Sequence, residues 1–238
     1  MLSLDVQNEY RALYRRLHAG WCPSGEVYES MIRDVLRSNS KILDLGCGRG
    51  GIAEKLVVEG RTVFGLDKDR ESLIGHRAPV VRFALSVAEL QPFACKTFDV
   101  VLAAWLFEHL AQPNVVLAEI RRVLQPGGHC IFLTPNLRNP GLLVGRVCQA
   151  FPDLQRRLVS LLYGRDEVDI FRVFYRANSA LRLRRLVQFN GLSLRRLEVV
   201  PDPTYLAFND MAFRLAMVVE RMLPPSSGVH LVGLLQRL

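Results

Sequence analysis

Apolar residues recur along the chain at two periods, and the change from one to the other lays out its organisation. Tyr10, Leu13, Tyr14 and Leu17 follow the i, i+3, i+4, i+7 spacing of one helix face. Tyr28, Met31, Ile32 and Val35 repeat it after Pro23-Ser24-Gly25. From there short apolar runs alternate with helical stretches. Strands are predicted at Ile42–Leu45, Thr62–Leu66, Val80–Leu85, Phe98–Ala104 and His129–Thr134. Helices are predicted between them: from about Gly51 to a stop at Gly60, over Asp69–Ile74, and over Asn114–Leu124, closed by Pro126-Gly127-Gly128. This alternation predicts an α/β, doubly wound, Rossmann-like sheet with helices on both faces.

After Asn136 the rhythm changes. Residues 137–175 carry helical fragments and no strand pattern, so they read as helical lid segments over the sheet's C-terminal edge. Asn178 reads as an N-cap and Gly191 as a C′ residue, enclosing a helix with Leu183, Leu186 and Val187 inward. "LSLRRLEVV" (192–200) is a strand whose alternation slips at Arg195-Arg196, as at a bulge. "VHLVGLLQ" (229–236) is a last strand, expected to pair with it antiparallel at the sheet's edge. The whole reads as one domain over 1–238. Cap helices fill 1–37, a ligand-binding core 38–136 and a lid insertion 137–176. A helix, edge strands and an apolar helix fill 177–238.

A chain of 238 residues, 50% hydrophobic, is long enough to bury a core. No stretch approaches the roughly 18 uninterrupted apolar residues that span a bilayer. Charges run through Met1–Leu17, so a secretory signal is not expected. Cys22, Cys47, Cys95, Cys130 and Cys148 are odd in number and scattered, which predicts no disulfide frame, no metal site and a reduced, cytoplasmic protein. The net charge of +8 sits in the second half: residues 137–238 hold 15 arginines against 8 acids. Without a long basic run or aromatic interleaving, these arginines read as solvated helix faces and argue against a nucleic-acid partner.

The candidate chemistry lies just past the strand ends, where open parallel sheets bind ligands. In "KILDLGCGRGGIAEKL" (41–56), Gly46, Gly48 and Gly50 let the backbone turn tightly and approach a ligand. Asp67 closes the second strand, where a carboxylate can accept both hydroxyls of a ribose. Ser86 and Val87 follow the third strand and suit an adenine edge. Gly46, Gly48 and Gly51 also satisfy the dinucleotide fingerprint. Asp44 decides against that ligand, because a carboxylate two residues before the first glycine repels a pyrophosphate at low dielectric. It favours an adenosyl ligand that carries positive charge and no phosphate, as S-adenosylmethionine does.

"LDLGCGRGG", "GLDKD", "SVAELQPF…FDVVLA", "LFEHLAQP" and "EIRRVLQPGGHCIFLTPN" together resemble the successive motifs of class I S-adenosylmethionine-dependent methyltransferases. The resemblance covers residues 40–136 and is nearest the subgroup with Leu-Glu-His after the fourth strand and Leu-x-Pro-Gly-Gly before the fifth. It implies seven strands with the last reversed. It places Asp44, Gly46, Cys47, Gly48 and Gly50 on the methionine side of S-adenosylmethionine and Asp67 on the ribose. Lys68 would lie against the adenine, with Ser86 and Val87 at its edge and Ala103 and Ala104 ending the fourth strand beside the cofactor. Ser86 departs from the acid usual there.

Methyl transfer needs a general base only for an acceptor of high pKa. His109 is the candidate, with structural packing in the turn as its other reading. Glu108 is expected to face solvent and Cys47 to fill space. Tyr10, Tyr14, Trp21, Trp105 and Tyr175 are candidate walls for a hydrophobic small-molecule or lipid-like acceptor, methylated on O or C. A non-catalytic relative and an NAD-type oxidoreductase are the alternatives. In 205–223 Asp210, Arg214 and Arg221 share one stripe of an otherwise apolar helix, which suggests peripheral membrane contact or a homodimer.

Overall fold

The computed structural model describes residues 4–78, 81–84, 91–142, 172–207 and 209–238. Ser86, Val87 and most of the expected lid lie outside the described residues. The chain divides into two compact units. One comprises Met1–Ser24, Pro135–Arg172 and Val199–His230; the other comprises Gly25–Thr134, Val173–Glu198 and Leu231–Leu238.

The larger unit carries the sheet. Its elements are α2 (Ser24–Val35), β1 (Ile42–Leu45), α3 (Ile52–Val58), β2 (Val63–Asp67), α4 (Arg70–Ile74), β3 (Val81–Ala84), β4 (Phe98–Ala104), α5 (Pro113–Val123), β5 (Leu124–Pro135), α6 (Ala180–Phe189), β6 (Leu192–Val200) and β7 (His230–Arg237). The seven strands lie in the order β3-β2-β1-β4-β5-β7-β6. β1 pairs in parallel with β2 and β4, β2 with β3, and β4 with β5. β1 is buried along its whole length, which is why it reads as an apolar run interrupted only by Asp44. The reversal near β1, where β2 lies to one side and β4 to the other, opens the crevice in which such sheets bind ligands.

The last strand is reversed. The Asn136 backbone N–H donates to the Val229 carbonyl (2.8 Å), while Arg237 Nη1 donates to the Leu124 carbonyl (2.6 Å) at the opposite end of β5. Between them Gly233 faces the Phe132 ring so closely that a Cβ would overlap it. Phe132 stacks in turn on Phe107, with ring centroids 4.8 Å apart. On the far side Arg195 Nε donates to Gln236 Oε1 (2.7 Å), while Val200 meets Gly228, so β6 also runs against β7.

Three local expectations shift. β5 begins at Leu124, ahead of the Pro126-Gly127-Gly128 turn, because Leu124 pairs with Phe98 before the register jumps to Val100 opposite His129. Ser179, not Asn178, precedes α6; Asn178 is buried and its amide is used elsewhere. β6 is continuous through Arg195 and Arg196, both exposed.

The other unit has its own small core. Tyr14, Ala207 and Phe213 are buried together, with Tyr10, Leu13, Trp21 and Met217 packed on them. They join α1 (Leu4–Leu17) to α7 (Asp210–Met222). Polar ties lock the arrangement: the Tyr14 hydroxyl donates to Glu220 (2.9 Å), Trp21 Nε1 to the Pro201 carbonyl (2.7 Å), and Arg11 pairs with the buried Asp202 (3.3 Å).

Candidate cofactor site and acceptor edge

The glycine loop is held from both sides. The Gly46 and Cys47 amides both donate to the Leu66 carbonyl (2.7 and 3.2 Å), which fastens the loop to the end of β2. Gly48 donates to Asp67 Oδ2 and Asp69 to Asp67 Oδ1, each at 2.8 Å. Asp67 thus shapes the loop while each of its oxygens keeps a lone pair for a ligand hydroxyl. Gly46 (φ 74°) requires glycine twice over: its backbone is left-handed, and a Cβ would sit 3.1 Å from Leu106. Behind the loop Gly51 donates to Glu54 Oε1 (2.9 Å), and Arg77 grips the same oxygen at 2.7–3.0 Å. Sequence reasoning missed this brace, since nothing in the spacing of 54 and 77 signals contact.

Asp44 ends up deeper than its position at a strand end suggests. It is 6% exposed. Burial raises its pKa first and the Asp67 carboxylate second, to about 7, with no hydrogen-bond donor among the described residues opposing the rise. Against the ordinary aspartate value of 3.8, that rise corresponds to about 4 kcal/mol as an upper figure, at about 1.36 kcal/mol per pKa unit. A nearby cation would repay this cost directly, whereas a pyrophosphate would increase it. The residues present therefore fit a cationic adenosyl ligand: an acid without a donor, beside a bend of bare backbone. Cys47 is buried in the loop as expected of a filler, Ala103 is buried, Ala104 is half-buried and Lys68 is exposed.

The second cluster surrounds the turn after β4. Trp105 is 43% exposed and His109 half-buried. Glu108, expected to face solvent, is instead 5% exposed. The 3-10 turn Phe107–His109 rolls its side chain inward, where the Thr134 hydroxyl donates to Oε2 (2.9 Å) and the Asn178 amide donates to that hydroxyl (2.7 Å). Burial pushes Glu108 up to about 7, opposed by its own backbone N–H and then by the Thr134 bond. The Phe174 and Tyr175 amides both donate to the Glu108 carbonyl (2.7 and 3.1 Å), which draws Tyr175 to the same turn as Trp105 and His109. Among the described residues, only Lys96, Trp105 and Tyr175 combine a side chain with positive φ. Such strain survives where surrounding structure enforces it, and it clusters at ligand sites. The apolar run around Glu108 was the one sequence signal of its burial. Nothing local marked Thr134 or Asn178 as its partners.

Tyr10, Tyr14 and Trp21 belong to the other unit, where their rings form the small core described above. Among the described residues no group of His, Cys, Asp and Glu could hold a metal ion.

With this geometry in view, the likenesses to known proteins are specific. Residues 43–132 match the family model described as "Methyltransferase domain". The chain is 38% identical over 106 residues to the ubiquinone biosynthesis O-methyltransferase of Photobacterium profundum, covering 40% of this chain and 44% of that protein. The chain thus spans less than half the length of that relative. An S-adenosylmethionine-dependent methyltransferase from Methanosarcina mazei superposes with a TM-score of 0.59 at 19% identity, covering 87% of this chain and 97% of its own. Geranyl diphosphate methyltransferase in complex with S-adenosylmethionine gives 0.60 at 16% identity, over 99% and 92%. Residues 43–132 thus match a methyltransferase domain, within a fold shared with S-adenosylmethionine-dependent methyltransferases.

Proposed function

We propose that the chain transfers the methyl group of S-adenosylmethionine to an oxygen or carbon atom of a hydrophobic, lipid-like small molecule in the cytoplasm. One observation carries the cofactor half: a buried carboxyl, Asp44, without a described donor at the mouth of the glycine loop. When bound, the cofactor supplies an electrophilic methyl group on a sulfonium. Asp44 would balance positive charge at the methionine end, Gly46, Gly48 and Gly50 would admit the ligand to the backbone, and Asp67 would take the ribose hydroxyls. Orientation in a dry cleft can lower the barrier by about 7–11 kcal/mol. The chain's main task is therefore to hold two partners in line.

The acceptor half rests on Trp105, His109 and Tyr175. Trp105 and Tyr175 supply apolar wall, and His109 would take the proton of a hydroxyl acceptor as it is methylated. The name of the Photobacterium relative, a ubiquinone biosynthesis O-methyltransferase, favours an aromatic hydroxyl on a lipid-like molecule. The outward face of α7 fits such a supply. Met211, Leu215, Val218 and Met222 are exposed along one stripe beside Arg214 and Arg221, suiting peripheral membrane contact or a second copy of the chain. Vesicle sedimentation and sedimentation velocity separate those two.

Calorimetry tests the proposal. S-adenosylmethionine should bind and NAD should not, and Asp44→Asn should weaken the first without admitting the second. Folded protein that ignores S-adenosylmethionine, or takes NAD better after Asp44→Asn, overturns it. Turnover on a panel of lipid phenols and quinols then identifies the acceptor. His109→Ala should lower kcat on hydroxyl acceptors and leave cofactor affinity unchanged.

A further inference from the structure

The start of α5 and the segment that leads into α6 enclose an open groove of about 610 Å³. Small-molecule sites span roughly 300–1,000 Å³. Val115 and Leu186 give the groove apolar wall, and Gln112 and Asn114 add side-chain amides. Among the described residues, its only charged lining is Arg176 and Arg182.

That positive charge is not balanced within the fold. Neither guanidinium pairs with an acid among the described residues. Arg176 is nevertheless held in place: Nη1 donates to the Ala111 carbonyl (2.7 Å), and the guanidinium carbon lies 5.8 Å from the centre of the Phe174 ring. The other N–H groups of its fork stay available to a ligand. Asn190 donates to the Asn114 side-chain carbonyl (3.2 Å), which leaves the Asn114 amide nitrogen to donate in turn.

The groove adjoins the acceptor edge. Ala111 lies two residues beyond His109, and Arg176 directly follows Tyr175. α5 follows β4, so its first residues stand at the C-terminal edge of the sheet, where the cofactor crevice also opens.

We propose that this groove binds an anionic group, a phosphate or a carboxylate, carried at one end of the methyl acceptor. Two guanidinium forks and two amides supply donors with no charged acceptor among them, and arginine is the side chain best shaped to grip such oxygens in pairs. The acceptor is then an amphiphile, with its apolar body on Trp105 and Tyr175 and its charge on Arg176 and Arg182. This rests on the reading of Trp105, His109 and Tyr175 as the acceptor edge.

Calorimetry on the full chain with octyl phosphate, octanoate, octanol and inorganic phosphate tests it. The two anionic amphiphiles should bind about tenfold or more tighter than octanol, the worth of one charge-assisted contact. Inorganic phosphate should bind more weakly than octyl phosphate. Arg182 is exposed and makes no hydrogen bond to a described residue. Arg182→Gln should therefore keep the Tm and the affinity for S-adenosylmethionine, while weakening octyl phosphate and octanoate by about tenfold. Arg176→Gln should weaken the same two ligands, and neither variant should alter octanol binding. Equal affinity for octanol and the anionic amphiphiles overturns the proposal, as does anion binding that Arg182→Gln leaves unchanged. Inorganic phosphate that binds as tightly as octyl phosphate also overturns it, because the groove would then hold a free anion with no acceptor body attached. Arginine-dependent binding of the amphiphiles by a chain that ignores S-adenosylmethionine would uphold the anion site and overturn the methyl-transfer reading instead.

Discussion

The molecule buries two carboxyls along one edge of its sheet and treats them in opposite ways. Asp44 and Glu108 are almost equally hidden, and burial pushes each up to about 7. Glu108 is the end of a closed chain of donors, with Thr134 bonded to it and Asn178 bonded to Thr134. Among the described residues Asp44 has no such chain, and the charge that acts on it is another acid, Asp67. A buried acid whose lone pairs are filled by the fold is part of the scaffold. One that is left repelled and unfilled is part of a site. Equal burial and equal pKa direction do not separate the two; their hydrogen-bond partners do.

The comparison can be broken most readily at Asp44. Asp44→Asn should cost about 100-fold in S-adenosylmethionine affinity by calorimetry, the worth of a buried charge-assisted contact. The same change should raise the ligand-free Tm at pH 8, because the fold no longer holds a buried anion. A lowered Tm with unchanged affinity would place Asp44 with Glu108 as scaffold. Next in size is Thr134→Val, which leaves Glu108 and Asn178 without their shared partner. Denaturant unfolding should show a loss of about 1–3 kcal/mol, with cofactor affinity unaltered.

The pH dependence separates the pair further. A cationic ligand needs Asp44 ionised, so protonation below about 7 competes with binding. Affinity should fall about tenfold from pH 8 to pH 6, one pH unit below that pKa accounting for most of it, and Asp44→Asn should abolish the dependence. The smallest effect is expected from Glu108→Gln. The folded pKa of Glu108 lies above its unfolded value, so its acid form is the one the fold favours. Stability is fully present below the unfolded value and declines as pH rises through about 7. Glu108→Gln should therefore be nearly neutral at pH 5 and stabilising by less than about 1 kcal/mol at pH 8, after allowing for the hydrogen bond it keeps to Thr134. Thermal melts at the two pH values read the difference.

The two acids also show how far the sequence could be read. Asp44 was visible because it interrupts an apolar strand immediately before three glycines, and strand, loop and following carboxylate stand at fixed local spacing. Glu108 sits in an equally apolar run, yet its direction depended on a 3-10 turn and on partners 26 and 70 residues later. The expectation that it faced solvent failed for that reason. Asn178 failed likewise: its type suits an N-cap, but Thr134 claims its amide and Ser179 takes the place before α6. The reversed last strand was expected, whereas the demand that Gly233 lie under Phe132 was not. α7 was read as apolar on every face but one. Its inner side closes on Tyr10 and Tyr14, and Met211, Leu215, Val218 and Met222 stay exposed.

By itself the sequence determined the order of strands and helices, the glycine bend and the acid that guards it. Each of these is set by residues within a few positions of one another, where periodicity and backbone freedom act directly. Tertiary structure decided which buried polar groups are satisfied: Glu108 by Thr134, Asp67 by Gly48 and Asp69, Asp44 by no described residue. Hydrogen bonding between distant segments depends on distances of a few tenths of an ångström, and only the packed chain fixes those.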